Sequence, residues 1–375
     1  MGLRLAQSDL WRLIQTEMKH VRPKILYVFN KQPDYSRIKI LRMALESHAE
    51  VDCLCSNRAT YLGRTLEVAW KFLRRRNRPH DLLVVGFFAQ LLMPFVRPFW
   101  PGRLMADCYI SLFDSYVNDR GMASEISIRA RLCYWADRYL MRHADLVLTD
   151  TEQHRKYLHE QYGTETARIH AIPISADESL FPLLPPAAPP DTDDVFEILF
   201  FGAFIPLQGV ETIIRAARRL APEKFKIRII GKGQTFDACV ALADDLGVNN
   251  VRFEGWRKVE DISKLAESAH LILGIFGQTE KARRVIPNKV YEALSMGRPL
   301  VTGDSAAVRE YFTDGKDIFL VPFADPEALA GKIEWLSHNY DQALEVADNG
   351  HDVFVQQLSP RSVAKMMGET LEGLL

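Results

Sequence analysis

Short apolar runs alternate with helical patterns along most of the chain, and this alternation limits the fold more than any other feature. Segments 24–29 (KILYVF), 51–55, 81–88 (DLLVVGFF), 103–110 and 144–149 (ADLVLT) read as strands. Between them, 36–47, 64–76 and 124–143 read as helices, and 3–19 carries Leu10, Trp11, Ile14 and Met18 at helical spacing. Strands that are apolar on both faces and separated by helices predict a parallel sheet covered on both sides.

The alternation stops at 181–194 (FPLLPPAAPPDTDD), where five prolines exclude regular structure and predict a semi-rigid linker. It then restarts. Strands are read at 196–201, 226–230, 251–253, 271–275 and 300–302, and helices at 209–220, 236–246, 262–268 and 288–296. The expected organisation is a first Rossmann-like domain over 1–181, a linker over 182–194, a second Rossmann-like domain over 195–355, and a terminal segment over 356–375. A length of 375 residues suits two domains. Ligands of doubly wound sheets bind beyond the carboxyl ends of the strands, so the cleft between the domains is the expected site.

Composition excludes several classes. With 47 Lys+Arg against 48 Asp+Glu, the chain lacks the basic excess of a dedicated nucleic-acid binder. Five cysteines without metal-site spacing read as reduced thiols, which points to the cytoplasm. The longest uncharged stretch, 82–96, has 15 residues, short of the roughly 20 that cross a bilayer. No leader pattern is visible. The run 58–78 holds seven basic residues against the single acid Glu67, followed by Phe87, Phe88, Phe95, Phe99 and Trp100. Arg74, Arg75 and Arg76 beside Phe95, Phe99 and Trp100 would suit peripheral contact with anionic lipid at the inner face of a membrane.

The segment 283–299 (RRVIPNKVYEALSMGRP) carries the most chemistry. Pro287 suits a helix start and Gly297 a helix end. Free amides at Asn288 and Lys289, beside Arg283 and Arg284, make an anion site at the helix N-terminus. Glu292 lies on the same face, placed to accept two vicinal hydroxyls. An ordinary capped helix is the competing reading. Two weaker signals are the Gly202 turn (FFGAFIPLQG) and the turn after 229–233 (IIGKG) with Lys232.

The order of these pieces resembles the retaining glycosyltransferases of family 4, group 1, which have the GT-B fold. FGAFIPLQG, IIGKG, VRFEGW, NKVYEALSMGRP and 308–330 follow one another as they do in that family, over about 130 residues. In the first half, 107–121 (DCYISLFDSYVNDRG), 144–154 and 172–181 look like segments of a subgroup.

The resemblance implies an α/β GT-B fold, two doubly wound Rossmann-like domains facing a central cleft, with the helix at 362–375 returning to the first. It implies transfer of a sugar from a nucleotide-diphosphate sugar to a hydroxyl of a glycan or lipid-linked acceptor. Retention at the anomeric carbon, no metal and no cofactor follow from the same source. Donor-binding candidates are Gly202, Lys232, Trp256, Arg257, Arg284, Asn288, Lys289 and Glu292. The polar cluster after the fourth strand supplies catalytic candidates Asp107 and Asp114. Tyr35, Arg37, Ser111 and Arg120 are candidates on the acceptor side.

Two departures stand out. Arg284 occupies the position of the first glutamate in the family's E-x7-E motif. The family's basic pair falls at Ala203 and Gln208. Arg283, Arg284, Lys289 and Lys232 are expected to supply the missing charge. A nucleotide-sugar epimerase or hydrolase on the same fold, and a non-catalytic partner subunit, are the alternatives.

Overall fold

The computed structural model describes residues 22–76, 78–189 and 195–375. The helical pattern at 3–19 and the acidic run Asp191 to Asp194 lie outside the described residues. Two six-stranded parallel sheets form the frame. The first has the order β2-β1-β3-β4-β5-β6, with β1 Lys24–Phe29, β2 Glu50–Leu54, β3 Leu82–Gly86, β4 Arg103–Asp107, β5 Leu146–Thr149 and β6 Ile169–Ala171. The second has the order β12-β11-β10-β7-β8-β9. Its strands are β7 Phe196–Phe201, β8 Phe225–Ile230, β9 Val251–Glu254, β10 Leu271–Leu273, β11 Leu300–Gly303 and β12 Phe319–Val321. This is the GT-B architecture.

Both sheets reverse direction once. The reversal lies between β1 and β3 in the first and between β7 and β10 in the second. The carboxyl ends of those strands open a crevice that the crossover helices cannot fill.

Several elements are shorter than their sequence pattern, for local reasons. The run 81–88 stops being a strand at Gly86, because Phe87 and Phe88 turn to φ of 23° and 55°. The apolar residues beyond them form the helix Ala89–Val96. The helix expected from 124 starts at Ile128, where the Ser127 side chain accepts the Ala130 N–H.

Helices Tyr61–Arg75, Ala89–Val96 and Ile128–His143 pack side by side over one face of the first sheet. Helices Ser36–Glu46 and Pro360–Glu372 cover the other face. The terminal helix is tied back by a 2.7 Å hydrogen bond between the His48 ring and the Ala364 carbonyl. Trp100, expected among the surface aromatics, is instead turned inward. It is 6% exposed and its indole N–H donates to the Arg103 carbonyl. Phe95 and Phe99 remain exposed.

One apolar cluster runs through both halves. It joins Tyr27, Phe29 and Ile38 of the first to Val290, Leu294 and Met296 of the second, through Ile172, Ile174, Phe181 and Leu184 of the crossing segment. Residues 181–188 carry no helix or strand and lie along the second half. Leu184 N donates to the Met296 carbonyl at 3.2 Å.

Arg298 fixes this contact from inside. Its buried guanidinium donates to the carbonyls of Ala266 (2.7 Å), Pro185 (2.8 Å) and Glu267 (3.2 Å). An Arg298→Ala chain would leave those carbonyls unpaired and open a cavity. It is expected to lose about 3 kcal/mol of stability, read as a lower urea midpoint at an unchanged m-value.

Candidate active site

Beside the second sheet's reversal, neighbouring strands β7 and β8 end in a tight pair of turns. Gly202, with φ of 151°, ends β7, and Gly231 ends β8 against it. A Cβ at Gly231 would lie 1.9 Å from the Gly202 carbonyl oxygen, so this approach requires glycine. A Cβ at Gly202 would meet the Lys289 ammonium at 3.1 Å. Lys289 reaches this point from the first turn of the Asn288–Ser295 helix, donates to Gln208 Oε1, and sits 3.7 Å from the Phe200 ring centroid. Gln208 and Lys289 thus share one place, where the family pattern expects a basic residue at 208.

The Asn288–Ser295 helix begins after an extended Pro287, and no side chain caps it. Its first N–H groups stay free for an anion. Burial pushes the Lys289 ammonium well below its ordinary range, and the Glu292 carboxylate opposes that shift. Glu292 lies one turn along. Burial pushes its carboxyl up to about 7, and Lys289 pulls the other way. Across the cleft stands Tyr35, half-buried, its hydroxyl 2.8 Å from that of Tyr109. Burial raises the Tyr35 pKa, and the Glu292 charge adds to the rise. Tyr35 of the first half and Glu292 of the second thus interact electrostatically across the cleft.

Beside these turns is a cavity of about 620 Å³, lined by Arg120 and Met122 from the first half and Ala203, Lys232, Gln234 and Trp256 from the second. Gln234 Nε2 donates to the Arg120 carbonyl at 2.9 Å and ties its two walls. Trp256 is 64% exposed, a free apolar face. Arg257 turns to Glu254 instead, at 2.7 Å. Arg228 and Arg252 reach the same carboxylate.

Three candidates of the first half do not reach the cleft surface. Arg37 is fully buried. It pairs with Asp107 at 2.9 Å and donates to the carbonyls of Thr149, Ile172 and Pro173. Asp107 is 2% exposed, and burial raises its pKa against the pull of Arg37. Ser111 is buried and donates to Asp137 at 2.9 Å. Each is held by the interior because a charged or hydroxyl group below the strand ends needs a partner there.

Asp137 is a residue that the sequence reading missed. Its carboxylate accepts from Leu112 N, Phe113 N, Ser111 Oγ, Tyr162 OH and Gln90 Nε2, between 2.8 and 3.0 Å. It shapes the loop that leads to the π-helical turn Asp114–Asp119. That turn presents Asp114, 1% exposed, to Arg284 of the second half at 2.7 Å. A buried acid in the middle of a basic helix was the available signal. Lys281, whose ammonium is 2.5 Å from Ser115 Oγ, was missed as well.

Residues 195–339 match the family described as Glycosyl transferases group 1. WcaL of Salmonella typhimurium, assigned as a colanic acid biosynthesis glycosyltransferase, is 22% identical over 84% of this chain and 80% of its own. EpsD of Bacillus subtilis, assigned as a glycosyltransferase, is 24% identical over 63% of this chain. That match spans 62% of EpsD, so the chain covers about three fifths of that relative. The crystal structure of Anabaena HepE with UDP and glucose superposes with a TM-score of 0.71 at 17% identity, covering 94% of this chain and 100% of that one. Together these likenesses support a group 1 glycosyltransferase.

The raised Glu292 pKa has a consequence for stability. The folded chain keeps a proton that the unfolded chain releases near the ordinary value of 4.5. Stability contributed by this group is therefore lost as pH rises from about 4.5 through about 7. A Glu292→Gln chain is expected to match the wild type at pH 4. At pH 8 it should exceed it by on the order of 2 kcal/mol, discounted for residual solvent access. Urea unfolding at the two pH values checks this.

Proposed function

We propose that the chain transfers a glycosyl residue from a nucleoside-diphosphate sugar to a hydroxyl acceptor, with retention and without a metal ion. One observation carries the reading: the Lys289 ammonium lies under Gly202, at an uncapped helix start, with Glu292 one turn away. A diphosphate on the free amides would neutralise the desolvated ammonium. Glu292 would accept the two ribose hydroxyls. Trp256 offers a face for the base, and Arg257, held by Glu254, supports that loop. Lys232 lies open on the cavity wall to add charge.

The proposed step forms a bond from the acceptor oxygen to the anomeric carbon and breaks the bond from that carbon to the diphosphate oxygen. The leaving diphosphate takes the acceptor proton. Helix amides, Lys289 and Lys232 stabilise its charge, the role that metal ions fill elsewhere. Among the described residues no cluster of three or more His, Cys, Asp or Glu is placed to hold a metal. Uridine nucleotides are the first donors to test, because HepE has been solved with UDP-glucose.

The acceptor side would be a glycan or lipid-linked hydroxyl near Tyr35 and Arg120. A lipid-linked acceptor is supported by the outer face of the three-helix layer. Leu62 (72% exposed), Leu66 and Trp70 line one helix; Ile128 (76%), Leu132 and Trp135 line another, and Phe95 and Phe99 lie between. Arg74, Arg75 and Arg76 are exposed at one end, and Arg74 stacks on Trp70 at 3.8 Å. Met122, exposed on the cavity wall, leads from the cavity toward Ile126 and Ile128. An apolar stripe with an arginine border suits an anionic bilayer surface. No helix among the described residues is long and apolar enough to cross a membrane.

A thermal-shift and calorimetric screen of nucleoside diphosphates and their sugars tests the donor site. One nucleotide at a hundredfold excess over its Kd should stabilise the wild type by about 2.7 kcal/mol. Lys289→Ala and Glu292→Ala should each weaken it at least tenfold. No shift with any nucleotide would overturn the reading. Turnover without an acceptor would instead favour an epimerase or hydrolase. For the lipid face, the wild type should sediment with phosphatidylglycerol vesicles and not with phosphatidylcholine. A Leu66→Glu, Leu132→Glu double variant should stay in the supernatant.

A further inference from the structure

The two halves meet in two unlike ways. Where the chain crosses between them, at 172–184, the contact is apolar and continuous with both sheets' cores. Elsewhere along the cleft it is polar. Asp114 pairs with Arg284 at 2.7 Å, and among the described residues this is the only ion pair that joins the halves. Lys281 donates to Ser115 at 2.5 Å, and Thr151 Oγ1 donates to the Arg284 carbonyl at 2.5 Å. The Glu310 carboxylate accepts the first N–H groups of the Glu152–Tyr162 helix, from Glu152 at 3.0 Å and Gln153 at 2.9 Å.

Asp114 is set in advance by its own half, and Arg284 is received by the first half at two points. The turn that carries Asp114 follows the loop bound by Asp137. The Arg284 guanidinium lies over the ring of Tyr157, a first-half residue, 4.1 Å from the centroid. Arg284 also stands four residues before Asn288, so its position fixes where the anion-binding helix begins. The match is incomplete. Asp114 Oδ2 and Arg284 Nε are buried without hydrogen-bond partners. A contact that leaves polar atoms dry gains little over its hydrated, separated state. Such a contact can open and close, whereas the apolar crossing cannot.

We infer that Asp114 and Arg284 are a positioning pair that sets the start of the Asn288–Ser295 helix against the first half when the cleft closes. Neither needs to touch the reacting atoms. The inference rests on the proposed transfer reaction for its kinetic consequence, but not for the closure itself. It also accounts for an arginine at 284. A glutamate there would face Asp114 and repel it across the seam.

Charge reversal tests this on the full chain, with Asp114→Arg, Arg284→Asp and the double variant. Each single change is expected to lower kcat at least tenfold while the donor KM moves less than threefold. The double variant should recover to within threefold of the wild type. Small-angle scattering with UDP should show both single variants more extended than the wild type and the double variant compact. A double variant no better than the worse single variant, in both kcat and scattering, would overturn the pairing. So would single variants that behave as wild type. If the wild type transfers no sugar, the transfer reading fails while scattering still decides the pair. Thermal melts of all four chains identify any variant that does not fold. In that case Asp114→Asn and Arg284→Lys carry the same comparison, with smaller losses of kcat and partial opening expected.

Discussion

The buried Arg37 guanidinium holds the first half together at the edge of its cleft. It joins the end of β4, through Asp107, to the carbonyls that end β5 and begin the chain's exit toward the second half. A parallel sheet leaves its strand ends unpaired at one edge, and those ends must find donors. Here one planar cation with five N–H groups reaches three segments at once. The turn at Asp114 follows β4, whose end Arg37 ties, and Tyr35 lies two residues before Arg37 on the chain. Its charge is tolerated in the interior because Asp107 answers it.

The second half solves the matching problem with a lysine. Its adjacent strands β7 and β8 bring glycine turns close together and leave a space that no side chain of those turns fills. Lys289 enters from the helix behind and places an ammonium under Gly202. Cationic charge for an anionic ligand is therefore supplied from the helix start and not from the loop. The two sources differ in rigidity, because a helix residue packed on Phe200 is fixed where a loop residue would swing. The same helix carries Glu292, so charge and hydroxyl recognition are locked in register by a single turn of backbone.

Much of the architecture was legible. Two runs of alternating strands and helices gave five of the six strands in each sheet, because strands buried on two faces must be continuously apolar and the helices between them amphipathic; the edge strands Ile169–Ala171 and Phe319–Val321, three residues each, were too short to read. Legibility failed where a pattern was broken by local geometry. Nothing in DLLVVGFF says that Phe87 and Phe88 leave the strand, since phenylalanine rarely takes positive φ. The polar cluster after β4 was read as one group facing the cleft, but it divides. Asp107 and Ser111 turn inward to Arg37 and Asp137, whereas Asp114 goes to the seam. Residues a few positions apart in a loop have no periodicity to tell their directions apart, and their partners lie 26 to 170 positions away.

By itself, the sequence determined the strand and helix alternation of two parallel sheets and the helix start at Asn288. It also placed Glu292 one turn behind that start. These depend on local periodicity, proline and glycine stereochemistry, and the fixed pitch of a helix. Only the tertiary structure decided which charges meet. Long polar side chains satisfy whatever partner the fold brings within reach, and that choice is made between segments that no local rule connects. Arg284 with Asp114, Lys289 with Gln208, and Arg37 with Asp107 are of that kind.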